Sequence, residues 1–236
     1  MAYKLFTREE RDRQAFEKYV ITPMQTLRIN IDQALAGLRI YLGLNPDAGQ
    51  GGNSDRPHYV PDEARIVIPD LHWGVAGETG AQAALAAFFH EFGHHLHFKY
   101  VGEDSTQNPR WQEWAKLTGQ TLDFTYKDDW GYPRRYSQEA FANDVQLTLN
   151  NAHDVPTQIR RLRWYARLWG QEWRPRIELL VGEREAFVCG RKVALDVPPI
   201  ILKDRTLVPI RFVAEYLGCE VDWQPKDGYP RTVIIQ

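Results

Sequence analysis

The stretch from Thr79 to about Tyr100 leaves the chain little freedom in local structure. Thr79 with Gln82 three residues later forms a capping box. The residues that follow are rich in Ala, with Leu85, Phe89, Phe92 and Leu96 forming a stripe at helical spacing. That pattern predicts a helix with a core-facing stripe. The adjacent face carries His90-Glu91-Phe92-Gly93-His94, the HExxH pattern. Two histidines at i and i+4 lie one above the other on a helix, so both imidazoles can reach one zinc ion. The glutamate between them points beside the metal, where it can take a proton from an attacking water. His90 and His94 are therefore candidate ligands, and Glu91 is the candidate base.

HExxHxxGxxH is absent, because His97 stands where Gly would be and Tyr100 where a third His would be. A straight helix does not bring three residues over two turns around one tetrahedral ion. His95 and His97 are accordingly expected to be exposed or to support the ligands. The third ligand has to come from another segment. Glu113 lies on a short helix starting at Asn108-Pro109, flanked by Trp111 and Trp114. Glu139 lies near the start of a helix beginning at Ser137, where Ala140 and Ala142 beside Phe141 permit a close helix approach. Asp129 is a weaker candidate.

Elsewhere in the first half, Thr7 with Glu10 is expected to open a helix to about Val20. Thr22-Pro23 opens a second, with Leu27, Ile31, Leu35, Leu38 and Leu42 on one face up to Gly43. Residues 45–57 read as loop, and Ala64–Ile68, closed by Pro69, as an edge strand that could pair with an extended substrate. Trp73 fits a core position or a substrate wall equally well. From Asp154 to about Trp173 a helix mixes arginines with aromatics. Its spacing of Ile159, Leu162, Trp169 and Trp173 predicts burial of the aromatics and a wet arginine face rather than nucleic-acid stacking. After Arg176 short β-rich runs surround one helix, Ile210–Leu217, which Gly218 caps. The expected organisation is α+β: a mainly helical domain with a short sheet at 1–175, then a small accessory domain at 176–236.

Two resemblances sharpen this. His-Glu-Phe-Gly-His-His, Tyr132 seven residues before Glu139, and Glu-Ala-Phe-Ala resemble the anthrax lethal factor-like metallopeptidases, the group of the Pro-Pro endopeptidases, over about residues 60–150. The resemblance implies a zincin-like fold holding one catalytic zinc on His90, His94 and Glu139, with Glu91 as base and Tyr132 as oxyanion donor. It also implies an endopeptidase acting on protein or peptide substrates, at proline-rich sites. Asn143-Asp144 stands where relatives often carry an acidic residue after Phe-Ala, which leaves the partner of a His ligand open. Residues 177–236, with Val-Pro-Pro-Ile at 197–200 and Val-Pro-Ile-Arg-Phe-Val at 208–213, resemble the copper amine oxidase N-terminal-like domain. That implies an interaction or wall-associated module. This segment contains no His and cannot hold copper through imidazole.

With 29 Lys+Arg against 31 Asp+Glu, the charge is too balanced for a general nucleic-acid partner. The longest apolar run, Ala83–Phe89, is far short of the roughly 18 residues of a membrane span. The N-terminus turns charged at once, so no signal peptide is visible, and the expected location is inside the cell unless a signal has been removed. Two cysteines, Cys189 and Cys219, are either a pair or two separate thiols. The competing class is a binding protein whose zinc site is vestigial and whose C-terminal module carries the function.

Overall fold

The computed structural model describes residues 3–48, 55–125, 136–219, 221–226 and 229–235. Strand β1 (Lys4–Phe6) precedes helix α1 (Glu10–Phe16), which continues through a π-helical turn at Glu17–Ile21 into α2 (Thr22–Thr26). Thr7 does not close the expected capping box; its hydroxyl donates to Asp12 Oδ2 at 3.1 Å. The long helix expected through Leu42 does not form. Arg28 and Gly37 adopt φ values of 59° and 82°, confining α3 to Ile31–Ala34. The chain then enters strand β2 (Arg39–Leu42), where Ile40 and Leu42 alternate inward. Leu38 and Leu42 fit either period in so short a window, and the positive-φ breaks decide for the strand.

Strands β3 (His58–Val60) and β4 (Arg65–Ile68) complete a four-stranded sheet of order β1-β2-β4-β3. The first three strands are parallel and β3 is antiparallel to β4. The expected edge strand at 64–68 is thus an interior strand, and β3 is the edge. Ile66, Val67 and Ile68 are all fully buried, the continuous apolar run of a strand covered on both faces. Pro69 falls just after the last paired residue.

Helix α4 (Trp73–Leu96) breaks at Gly77 (φ 53°, ψ −134°), so the straight rod that carries the histidines starts beside the expected Thr79. A π-helical turn, His97–Val101, prolongs it. Helix α5 (Pro109–Thr118) is capped by Asn108, whose side chain accepts from the Arg110 N–H, and ends at Gly119 (φ 73°). Helices α6 (Tyr136–Leu149) and α7 (Val155–Leu168) follow, α7 being capped by Asp154. Phe92, Trp111, Trp114, Phe141 and Tyr165 build an aromatic core between α4, α5, α6 and α7. Trp73 packs at its margin and donates to Asp12 Oδ1 at 2.8 Å, a structural role.

The aromatics of the basic stretch are buried as expected, but its arginines are not all wet. Arg161 reaches Asp144 at 2.6 Å, and Arg163 donates to the Tyr216 carbonyl oxygen. The C-terminal segment forms a sheet of β5 (Ile177–Leu179), β6 (Glu185–Val188) and β7 (Arg191–Ala194), and a hairpin of β8 (Ile200–Leu202) and β9 (Arg205–Leu207). Helix α8 (Ile210–Leu217) and the hairpin β10 (Val221–Lys226)–β11 (Tyr229–Ile235) end it. Arg191 fastens this segment to the helices by donating to the His153 carbonyl at 2.7 Å and to Gln158 Oε1 at 3.0 Å. Cys189 and Cys219 are separate thiols. No described helix is long and apolar enough to cross a membrane. The architecture is mixed α and β, consistent with α+β.

Candidate metal centre

The centre depends on how closely α4 and α6 approach. A Cβ on Gly93 would lie 2.6 Å from Ala142 Cα and 3.1 Å from its carbonyl oxygen, so only glycine fits this contact. Ala142 is fully buried there, and Glu139, one turn earlier on α6, is thereby set opposite His90 and His94. Gly93→Ala is expected to force the helices apart, at a cost of about 1–3 kcal/mol. The separation would also weaken zinc binding, checked by urea unfolding and a zinc titration of the same variant.

The three side chains converge. His90 Nε2 and His94 Nε2 are 3.1 Å apart; Glu139 Oε2 lies 3.4 Å from the former and Oε1 lies 3.5 Å from the latter. Ligands 2.0–2.1 Å from a tetrahedral zinc stand about 3.3 Å from one another. One donor atom of each residue lies within 4.8 Å of the others, so the set fits the ion in kind and small side-chain adjustments would bring it to that spacing. Among the described residues, this is the group of His, Cys, Asp and Glu side chains close enough to hold a metal.

Asn143 settles the orientation of His90. Its Oδ1 lies 3.0 Å from His90 Nδ1, so that nitrogen donates and Nε2 keeps its lone pair toward the site. Asp144 points away, into a network with Tyr165 and Arg161. The amide, not the neighbouring carboxylate, therefore partners the candidate ligand His90. Asn143→Ala is expected to lower zinc affinity by about 10–100-fold, read by competition with a chromogenic chelator.

Burial dominates the electrostatics. It pushes His94 down to about 4, with the charge of His90 acting in the same direction and Glu139 against it. For His90 burial acts downward too, but Glu139, Glu91 and Asn143 together outweigh it and the net shift is upward. Burial, aided by Glu139, pushes Glu91 up to about 7. A carboxyl raised this way favours the native state fully only below its ordinary 4.5, and that contribution disappears as pH rises through 7. Metal-free Glu91→Gln is therefore expected to be more stable than wild type above pH 7, on the order of 2–3 kcal/mol. The two should be nearly equal near pH 4, as measured by urea unfolding across that range.

A cleft of about 460 Å³ opens over Glu91 and the three candidate ligands, walled by Arg56, His58 and Tyr59 from the β3 edge and by Phe98 and Gln138. Tyr59 and Phe98 pack at a tilt with centroids 6.0 Å apart, an aromatic wall that no motif announced. His95 and His97 are buried rather than exposed. His95 Nδ1 lies 3.0 Å from the Tyr59 hydroxyl, and burial pushes this ring down to about 3. His97 pairs with Asp104 at 2.8 Å, and Asp104 also accepts from Gln138, the residue before Glu139. Both histidines thus brace the cleft from behind. Their partners come from loops and an edge strand that helical spacing cannot reveal. Glu113 is remote from the centre and accepts from Trp164 Nε1 at 3.0 Å. Tyr132 and Asp129 lie outside the described residues.

Comparison with known families identifies one part of the chain. Residues 171–235 match the copper amine oxidase N-terminal domain. No curated protein and no solved structure matches the chain. The copper amine oxidase N-terminal-like domain holds no histidine, and the converging trio lies wholly in the preceding helices.

Proposed function

We propose that the protein is a zinc-dependent endopeptidase with a zincin-like catalytic part in residues 1–175. The observation that carries this reading is the convergence of His90, His94 and Glu139, with one donor atom of each within 4.8 Å of the others, beside the carboxyl of Glu91 in the same cleft. Zinc, when bound, would supply Lewis acidity toward a peptide carbonyl and an attacking water. Glu91 takes the proton of that water and passes it to the leaving amine. A carboxylate beside the attacking water can both accept and return a proton. Tyr132 is the residue that the metallopeptidase resemblance implies as oxyanion donor. The exposed edge of β3 can hold the substrate backbone as an added strand, the role expected of residues 64–68.

Proline selectivity belongs to the same proposal. Consecutive prolines fix φ and lack N–H groups, so they need a bent cleft with aromatic contacts, and Tyr59 and Phe98 offer such contacts. Digestion of an unbiased peptide library by zinc-loaded and chelator-treated protein tests the peptidase reading. Metal-dependent cuts support it, and no cut in either sample would refute it. X-Pro-Pro-X peptides cut no better than matched Pro-Ala or Ala-Pro peptides would refute the proline part alone.

A second reading gives the C-terminal module a binding role, at a cell wall or surface. It is favoured by the apolar side chains exposed on β8 and β9, where Ile201 is 64% and Leu202 53% accessible. The two readings are compatible, but the intact Glu91 argues against a vestigial centre, because a merely structural zinc site has no need of a base.

A further inference from the structure

The cleft has a charge character separate from its metal-ligating floor. On β3, His58 places Nδ1 2.7 Å from the Arg56 carbonyl oxygen and Nε2 2.9 Å from Asp47 Oδ2. Both partners are acceptors, since hydrogen bonds from His58 and then Arg65 hold Asp47 below the usual carboxylate range. His58 is thus held at both ring nitrogens, which fixes its orientation on the substrate-facing edge. Behind it Arg39 and Arg65 face Glu63 and Asp47. Two guanidinium groups against two carboxylates balance, so the cluster itself is neutral.

Arg56 is different. Its side chain is exposed, lines the cleft, and makes no ion pair with any described residue. Its neighbour Asp55 turns to Asn45, whose amide donates to it at 3.4 Å. The described acids of the cleft are Glu91 and Glu139, both committed to the metal chemistry. A divalent cation held by Glu139 would offset this negative charge and leave Arg56 as the positive group on that flank among the described residues.

We infer, resting on the peptidase reading, that the cleft selects peptides carrying an Asp or Glu side chain beside the scissile bond. Arg56 is the residue that contacts the carboxylate. An exposed charge pair of this kind changes affinity by up to about fivefold and weakens with salt.

The test uses the zinc-loaded full chain with Glu91→Gln, which binds without turnover. Fluorescent peptides matched except for Glu, Gln or Lys next to the cleaved bond are titrated at low salt and at 0.5 M (about a 4 Å screening length). The expected order is Glu over Gln over Lys, with a Glu/Gln affinity ratio of about 3–5 that collapses at high salt. Adding Arg56→Gln should bring that ratio to about one, whereas Arg56→Lys should retain most of it. Equal binding of Glu and Gln peptides, or a ratio unchanged by Arg56→Gln, would overturn the inference. Wild-type kcat/KM on the same peptides separates the two ideas. Cleavage without charge preference refutes only this inference, whereas charge-selective binding with no cleavage refutes the peptidase reading.

Discussion

The Glu91→Ala variant is expected to keep zinc bound and to hydrolyse peptides about 10²–10⁴-fold more slowly in kcat. Glu91 is not part of the converging trio, so its loss removes no ligand. What disappears is the proton acceptor for the attacking water, an interaction made in the transition state, so kcat and kcat/KM should fall together. Glu91 is 8% exposed and burial disfavours its charged form, so truncation removes a desolvated carboxylate and the fold should not suffer. Zinc content, circular dichroism and turnover of one preparation check all three points. Full activity in Glu91→Ala would exclude Glu91 as the base.

The Glu139→Ala variant should have the opposite signature, with zinc lost and activity lost because of it. The affinity loss is expected to exceed the roughly 10–100-fold predicted for Asn143→Ala, because a ligand rather than its orienting partner is removed. Glu139 is also the group whose two oxygens face the two imidazoles, one oxygen to each, so its loss removes the acceptor that both ring nitrogens approach. Glu113→Ala is the matched control. It deletes a hydrogen bond from Trp164, worth about 1 kcal/mol of stability, and should leave zinc binding intact. The reverse pattern, zinc kept in Glu139→Ala and lost in Glu113→Ala, would show that the ligand assignment is wrong.

The sequence makes the candidate centre legible where chemistry is tied to helical periodicity. His90, Glu91 and His94 follow from i, i+4 spacing, and the small residues around Phe141 foretell the close approach that Gly93 and Ala142 make. What the sequence hides is what arrives from a distance. The cleft wall from β3, the Tyr59–His95 contact and the His97–Asp104–Gln138 chain join segments separated along the chain, which no local pattern encodes. The sheet departs from its sequence expectation in two places for one physical reason. Short apolar runs such as Leu38–Leu42 and Ile66–Ile68 carry too few residues to separate a helical period from a strand, or an edge from an interior. The C-terminal module is more legible, because its strands are bounded by turn residues. Even there β7 (Arg191–Ala194) begins on Arg191 and Lys192, which no apolar pattern marks.

Zinc-edge anomalous diffraction from crystals of the zinc-loaded protein tests the central claim most directly. The account predicts a single peak about 2.0–2.2 Å from His90 Nε2, His94 Nε2 and an oxygen of Glu139. A peak ligated by other residues, or no peak in this cleft at saturating zinc, would contradict it.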